Sequence, residues 1–255
     1  MCSSDLDPGR KLALRKADNL KKIRDAGKWR AAIRHYLASI TFADAQVGRL
    51  LEQLRSSPHA ANTIIVLWSD HGWHLGEKGH WHKRTLWEEA TRVPLIISAP
   101  AVGRSGQRCN QPASLVDLFP TLVELCDLPP VKNLDGVSLV TWLQDPNRPR
   151  KQPAIIVEEK GHMAVRTDRY RYIRYRSGEE ELYDHDQDPR EHQNLAGSAD
   201  FSNLKKELAR YLPAKLAPPA ANKKAYEFNP RDYTWSVRKT GRQILGSQQN
   251  GTQRN

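Results

Sequence analysis

The apolar positions of this 255-residue chain change their period along its length, and each change predicts an element. Between Lys28 and Leu54, the residues Tyr36, Ile40, Ala43, Val47, Leu50 and Leu54 recur at steps of four and three, which predicts a helix with one buried stripe. Ser and Pro in SSPHAANT end that pattern. The run TIIVLWS, Thr63 to Ser69, is continuously apolar and rich in β-branched residues, as a fully buried parallel strand would be. VPLIISAP, Val93 to Pro100, reads as the next strand. Helix, short loop and buried strand together indicate an α/β body. Ser114 to Leu128 reads as a further helix, with Ser114 and Asp117 spaced to cap its start and Pro120 in its first turn. The DPNRP sequence marks a turn near residues 145–149.

After that turn the pattern shortens. AIIVEE, HMAVRT, RYRYIRYRSG and EELYDH are short and alternating, which predicts an antiparallel sheet with a tight turn at Ser177-Gly178. A helix from about Phe201 to Tyr211 follows. Beyond Pro213 the chain has no period and is rich in Lys, Asn, Gln, Gly and Pro, so it is expected to be a loose arm. The organisation expected is a start without a fold of its own (residues 1–9), an α/β part (10–150), an antiparallel α+β subdomain (151–213) and a basic, flexible tail (214–255).

Charge sharpens this picture. The chain carries 40 Lys and Arg against 29 Asp and Glu, a net charge of +11. All of the excess lies at the two ends, Arg10 to Arg34 and Ala214 to Asn255, and the rest of the chain is close to neutral and slightly acidic. Solvated helix faces and a tail account for such ends better than a nucleic-acid surface does, and sulfated polyanions would also tolerate them. No apolar run approaches the ~18 residues of a membrane span. Cys2, Cys109 and Cys126 have neither zinc nor disulfide-framework spacing.

The chemistry concentrates in WSDHGWHLGEKGHWHKRTLW, residues 68–87. Asp70 and His71 directly follow the first strand, and the carboxyl ends of strands are where open α/β sheets bind ligands. A carboxylate and an imidazole there suit a divalent cation, although such an ion needs six or more donors. An N-cap aspartate followed by an ordinary loop histidine fits the same two letters. Lys83 lies thirteen residues after Asp70 and could meet an oxyanion or be a plain surface lysine.

The ordered segments DAQVGRLLEQL, NTIIVLWSDHGWHLGEKGHWHKRTLWEEATRVPLII, SLVDLFPTLVELCDLP, LDGVSL, AVRTDRYRYIRY and ELYDHDQDPREHQNLA closely resemble the C-terminal half of type I sulfatases of the alkaline phosphatase superfamily, nearest to iduronate-2-sulfatase-like carbohydrate sulfatases. The resemblance covers about residues 28–212. It implies the alkaline-phosphatase-like α/β fold, in part, with a small C-terminal antiparallel subdomain. It also implies hydrolysis of a sulfate ester on a carbohydrate by the full-length parent. By resemblance, Asp70 and His71 are calcium ligands, with magnesium the lesser alternative, and Lys83 contacts the sulfate. Trp73, His74, His80 and Trp81 would line the substrate cleft or pack its loop. His162 and Arg166 lie where the closing subdomain approaches it. Lys78 stands where many sulfatases have His, which bears on substrate preference.

Such enzymes make formylglycine from a Cys/Ser-x-Pro-x-Arg motif. Cys2, Cys109, Cys126 and Ser56 do not begin one. The chain is therefore expected to be a C-terminal fragment, inactive alone. Its first residues, Met1 to about Leu6, resemble the translation of a sequencing-adapter end. Placement in the periplasm or outside the cell is expected by resemblance. Two other readings stay open: a phosphate or phosphonate monoester hydrolase of the same superfamily, and a silent module binding sulfated glycans.

Overall fold

The computed structural model describes residues 6–13, 19–100, 102, 106–158, 161–216, 225–229, 231, 234–238 and 240–244. Cys2 and most of the adapter-like start lie outside these residues. The chain divides into two compact units, Met1–Ala214 and Lys215–Asn255.

The first unit opens with helices α1 (Asp7–Ala13), α2 (Asn19–Asp25) and α3 (Trp29–Arg55). Strands β1 (Ile65–Trp68), β2 (His74–Leu75) and β3 (Trp81–His82) follow, then α4 (Glu88–Thr91) and β4 (Leu95–Ser98). Next come α5 (Leu118–Leu125) and α6 (Val140–Gln144), the strands β5 (Ala154–Val157), β6 (Met163–Arg166), β7 (Tyr170–Arg174) and β8 (Glu180–Asp184), and α7 (Ser202–Ala209).

The helix predicted after Lys28 is α3, and both apolar runs are strands. Their surroundings differ from the expectation. β1 pairs with β4 antiparallel, Leu67 opposite Ile96, where the apolar runs suggested parallel strands. The strands are also not buried: Leu67, Trp68 and Ile96 are 36%, 50% and 58% exposed. No residue of the 27-residue α3 is buried, and Ile40 and Leu50 of its expected buried stripe are 51% and 70% exposed. The pattern encodes burial, and no described layer of this chain lies over it.

The Ser114 expectation holds in detail. Ser114 N–H donates to Asp117 Oδ2 at 2.8 Å in a reciprocal capping box, and Pro120 falls in the first turn of α5. Asp117 is itself buried and paired with Arg150 at 2.8 Å.

Strands β5 to β8 form an antiparallel meander in chain order, as the alternating segments predicted. Alternation puts Ala164, Ile173 and Tyr183 on one face and Met163, Val165, Tyr172 and Leu182 on the other. Leu12, Ala13, Leu86 and Trp87 cover the first face, while Ala196, Leu208 and Leu212 cover the second. Residues from before and after position 150 thus share one core, so the expected boundary there does not separate compact units. Of the expected start, residues 1–5 lie outside the described residues; α1 begins at Asp7, and Gly9 sits so close to Trp87 and Tyr175 that a Cβ would meet the Tyr175 hydroxyl at 2.5 Å.

The second unit holds strands β9 (Tyr226–Asn229), β10 (Thr234–Val237) and β11 (Gln243–Ile244), ordered β11-β10-β9. An antiparallel sheet therefore stands where the sequence reading placed no regular element. Phe228 and Trp235, in register on neighbouring strands, have ring centroids 4.9 Å apart.

Candidate functional site

The loop that follows β1 is built by local hydrogen bonds. Ser69 Oγ donates to the His71 carbonyl at 2.8 Å, turning the chain out of the strand. Gly72 N–H then donates to Ala90 O at 2.9 Å. A Cβ on Gly72 would lie 2.0 Å from the Glu89 carbonyl oxygen, so only glycine lets the two backbones approach this closely. The hairpin β2–β3 follows, with His74 opposite His82. Trp29 Nε1–H of α3 donates to Leu75 O at 2.7 Å and ties the hairpin to the helix.

These constraints bring Asp70, His71 and Lys83 together. His71 Nδ1–H donates to Gly72 O at 2.9 Å, so Nε2 keeps its lone pair. Asp70 Oδ2 lies 3.6 Å from that Nε2, and the Lys83 ammonium donates to it. The Asp70 side chain is 81% exposed and that of His71 29% exposed, so both donors face outward. An imidazole oriented by a backbone carbonyl beside an open carboxylate is a donor pair that a divalent cation fits. It is two donors of the six or more that a calcium ion takes.

The aromatic residues of the loop do different work. His74 is fully buried, its Nε2 2.7 Å from Thr85 Oγ1 and its ring packed edge-on to His80 and Trp87. Burial, then the neighbouring His80, lowers its pKa from 6.5 to about 3. His80 is also buried, and its Nε2–H donates to Lys83 O at 3.1 Å. His74 and His80 therefore pack the loop, and His80 fixes the backbone of Lys83; neither faces a cleft. Trp73 is half-buried between Tyr36 of α3 and His82, with centroids at 6.5 and 4.6 Å. Trp81 pairs with Leu75 in the hairpin.

Lys78 is buried rather than cleft-facing. Its ammonium donates to Glu191 O at 2.5 Å and sits 4.6 Å over the Trp87 ring and 4.9 Å over that of Tyr183. The structure gives it an anchoring contact between loop and sheet.

The remaining two expected residues are not brought to Asp70. His162 Nδ1 accepts from Arg176 N–H at 3.1 Å, and its ring packs on Tyr175. Arg166 belongs to an ionic cluster that the sequence reading missed, made with Glu88, Arg171, His185 and Glu191. Glu88 Oε2 pairs with Arg166 Nε at 3.1 Å and with Arg171 Nη2, and Glu191 Oε1 lies 2.5 Å from Arg171 Nε and 2.9 Å from His185 Nε2. Burial would raise the Glu88 carboxyl, but Arg171 and Arg166 outweigh it and hold the pKa at about 2. The same contest, with Arg171 and His185 as the winning partners, lowers that of Glu191. Glu88, His185 and Glu191 offer three ligand atoms close enough for a metal ion. Two guanidinium groups already neutralise the two carboxylates, so the cluster fits an ion-pair anchor better than a metal. One signal for it was available: in RYRYIRY, Arg171 shares its strand face with Ile173 and Tyr175 and so points into the core.

Comparison with known proteins bears on this arrangement. The family model described as Sulfatase matches residues 9–128, and that described as N-sulphoglucosamine sulphohydrolase, C-terminal, matches residues 76–217. The chain belongs to the sulfatase family, and its fold is that family's alkaline-phosphatase-like fold. A protein named Sulfatase from Formosa agariphila is 40% identical over 206 residues, covering 81% of this chain and 40% of the relative. A solved structure described as a complex with its substrate D-glucosamine-2-N,6-O-disulfate superposes with a TM-score of 0.64 at 32% identity, covering 72% of this chain and 40% of that one. A phosphonate monoester hydrolase of Agrobacterium radiobacter superposes with a TM-score of 0.63 at 27% identity, covering 72% and 41%. The chain thus spans about two fifths of the length of the relatives it matches.

Proposed function

We propose that this chain supplies one side of a sulfate-ester hydrolase site that acts on sulfated carbohydrates. The observation that carries the reading is the convergence of Asp70, His71 Nε2 and the Lys83 ammonium at the carboxyl end of β1. Asp70 and His71 would hold a calcium ion, which adds positive charge against the sulfate oxygens when bound. His71 is pre-oriented for this by its bond to Gly72 O. Lys83, whose backbone His80 holds, presents a second positive charge beside the first, where it can meet the negative charge on the sulfate and on the ester oxygen that leaves as the S–O bond breaks. The relative solved with D-glucosamine-2-N,6-O-disulfate supports sulfate on an amino sugar as the substrate class. The attacking group and the other cation ligands belong to residues other than these, since no Cys/Ser-x-Pro-x-Arg occurs here. Placement in the periplasm or outside the cell is part of the same proposal.

The test is a chimera in which this chain replaces the matching segment of the Formosa agariphila sulfatase, assayed on sulfated glucosamine. Lys83→Ala should lower kcat by about 10²–10³-fold. An unchanged kcat removes Lys83 from the reaction. The likeness to a phosphonate monoester hydrolase favours a second reading, and faster turnover of a phosphonate monoester than of a sulfate ester would establish it. Binding of sulfated glycan without turnover would instead support a silent module.

A further inference from the structure

Helix α7 carries positive charge that the fold does not use. Leu208 and Leu212 seal it against the second face of the meander, across the sheet from Leu86 and Trp87. Between α7 and the strands β7 and β8 lies a hollow of about 280 Å³, whose walls include Tyr172, Arg174, Glu180, Lys205 and Lys206. Its one carboxylate is already engaged: Glu180 accepts from Lys205 Nζ at 2.7 Å and from the Tyr172 hydroxyl. Arg174 and Lys206 make no ion pair and no side-chain hydrogen bond among the described residues. Lys206 also borders a second hollow, with Asn203, Glu207, Arg210 and Tyr211. Lys206 and Arg210 stand one helical turn apart, about 6 Å, where like charges repel. Tyr211 follows, 41% exposed, its hydroxyl turned to the Lys151 carbonyl. The carbonyls at the end of a helix favour cations, which accounts for Lys206 or Arg210. They do not account for Arg174, which reaches the same hollow from β7.

We infer that α7 and the adjoining strands β7 and β8 form a second contact for a sulfated polysaccharide, with sulfate groups on Arg174, Lys206 and Arg210 and a sugar ring against Tyr211. The choice of ligand rests on the proposed function, whose substrate is a sulfated carbohydrate. A sulfate group offers several acceptor oxygens, which the forked donors of a guanidinium meet in pairs. Lys206 borders both hollows and so links the two arginines into one line of charge. A polymer that repeats its sulfates along its length can meet such a line, whereas a single small ester meets one cation of it. Tyr211 offers a flat apolar ring with a polar tip, which suits a sugar that is apolar on its C–H face and polar at its edge. The contact lies on the face of the meander opposite the one that Leu86 and Trp87 occupy, so a polymer held there does not cover Lys83.

The experiment titrates the full chain with a heparin oligosaccharide at near-physiological salt, with a chelator present so that no cation at Asp70 contributes. The triple variant Arg174→Gln, Lys206→Gln, Arg210→Gln should weaken binding at least about tenfold and flatten its salt dependence. Two controls remove the same charge from the basic ends: Lys22→Gln, Arg30→Gln, Arg34→Gln at the start, and Arg231→Gln, Arg238→Gln, Arg242→Gln at the end. Each should change binding by less than about twofold. Should Arg174→Gln lower the melting temperature, Lys206→Gln with Arg210→Gln, both exposed, must still weaken binding at least about threefold. Absence of heparin binding overturns the inference, and so does equal weakening by a control, which makes the contact a diffuse field. Equally tight binding of desulfated heparin or of duplex DNA overturns the choice of ligand. In the chimera on the Formosa agariphila sulfatase, the triple variant should leave turnover of sulfated glucosamine unchanged, and a loss there assigns these cations to the fold or the reaction instead. A parent chimera without turnover sinks the hydrolase reading and leaves the heparin result standing.

Discussion

The meander β5–β8 and the pair β1–β4 are written in similarly apolar letters, yet one is enclosed and the other open. In the meander, Ala164, Val165, Tyr172, Ile173, Leu182 and Tyr183 are all 0% exposed. Their covers come from this chain: Leu12, Leu86 and Trp87 on one face, Leu208 and Leu212 on the other. In the pair, Trp68 is 50% exposed and Ile96 58% exposed. The difference teaches that apolar period records the burial a strand is built for, while the burial it obtains depends on which layers are present. Lys78 and the Glu88–Arg171–Glu191 cluster mark where the enclosed region grips the loop that leaves the open one.

The comparison is broken most severely by removing the charge at the centre of that grip. Arg171→Met leaves Glu88 and Glu191 facing each other, with the 0%-exposed Glu191 side chain deprived of its main partner. Breaking a buried pair on one side costs about 3–5 kcal/mol, to be read from urea denaturation. A loss below ~1 kcal/mol would show that the cluster is not what holds the meander against the loop.

Gly72→Ala is next. The added Cβ would meet the Glu89 carbonyl oxygen at 2.0 Å and the Arg92 carbonyl oxygen at 2.8 Å, both backbone atoms that cannot swing aside. Overpacking of this kind costs about 1–3 kcal/mol. Thermal melting should fall accordingly. Because Gly72 also accepts from His71 Nδ1, the imidazole nitrogen shifts of His71 should move in the same variant. Unmoved shifts would separate the fold of the loop from the orientation of its donors.

Much of this was legible beforehand. The elements α3, β1, β4, the Ser114–Asp117 cap and the four-strand meander follow from periodicity and local chemistry, and so does the placement of Asp70 and His71 after a strand. The roles inside the loop were not legible. Four histidines within twelve residues look alike as letters, but His71 faces outward while His74 is sealed against Thr85 and Trp87. That sorting is decided by Leu86 and Trp87 entering the core of a sheet some eighty residues later. Glu191 was hidden for the same reason: in DPREHQN it reads as a loop acid, and only the strand register brings Arg171 to it.

Acid sharpens the contrast, because burial and ion pairing move the His74 and Glu88 pKa values far from their ordinary ones. His74 has a folded pKa of about 3 against 6.5 when solvated. The unfolded chain then binds more protons below pH 6.5, so this contribution is complete above 6.5 and is lost as pH falls toward 3. The expected slope is about 1.4 kcal/mol per pH unit in that window. Glu88, held at about 2 against 4.5, adds a further loss between pH 4.5 and 2, with the same sign. His74→Gln keeps an amide donor for Thr85 and should remove one proton's worth of slope between pH 6.5 and 4.5, measured by urea denaturation at each pH. An unchanged slope would place the acid sensitivity elsewhere.

The smallest expected effect tests the open side. Leu50 is 70% exposed and Ile96 58% exposed, so replacing either with Lys removes little apolar contact. Each substitution should change stability by no more than about 0.5 kcal/mol, the range of surface positions. Truncating Ile173, 0% exposed in the meander, to Ala should cost about 2–5 kcal/mol. The two kinds of site carry the same residue types, so the contrast in ΔΔG isolates enclosure from hydrophobicity. If Leu50→Lys destabilises the chain by as much as Ile173→Ala, then the two regions do not differ in the way their exposures indicate.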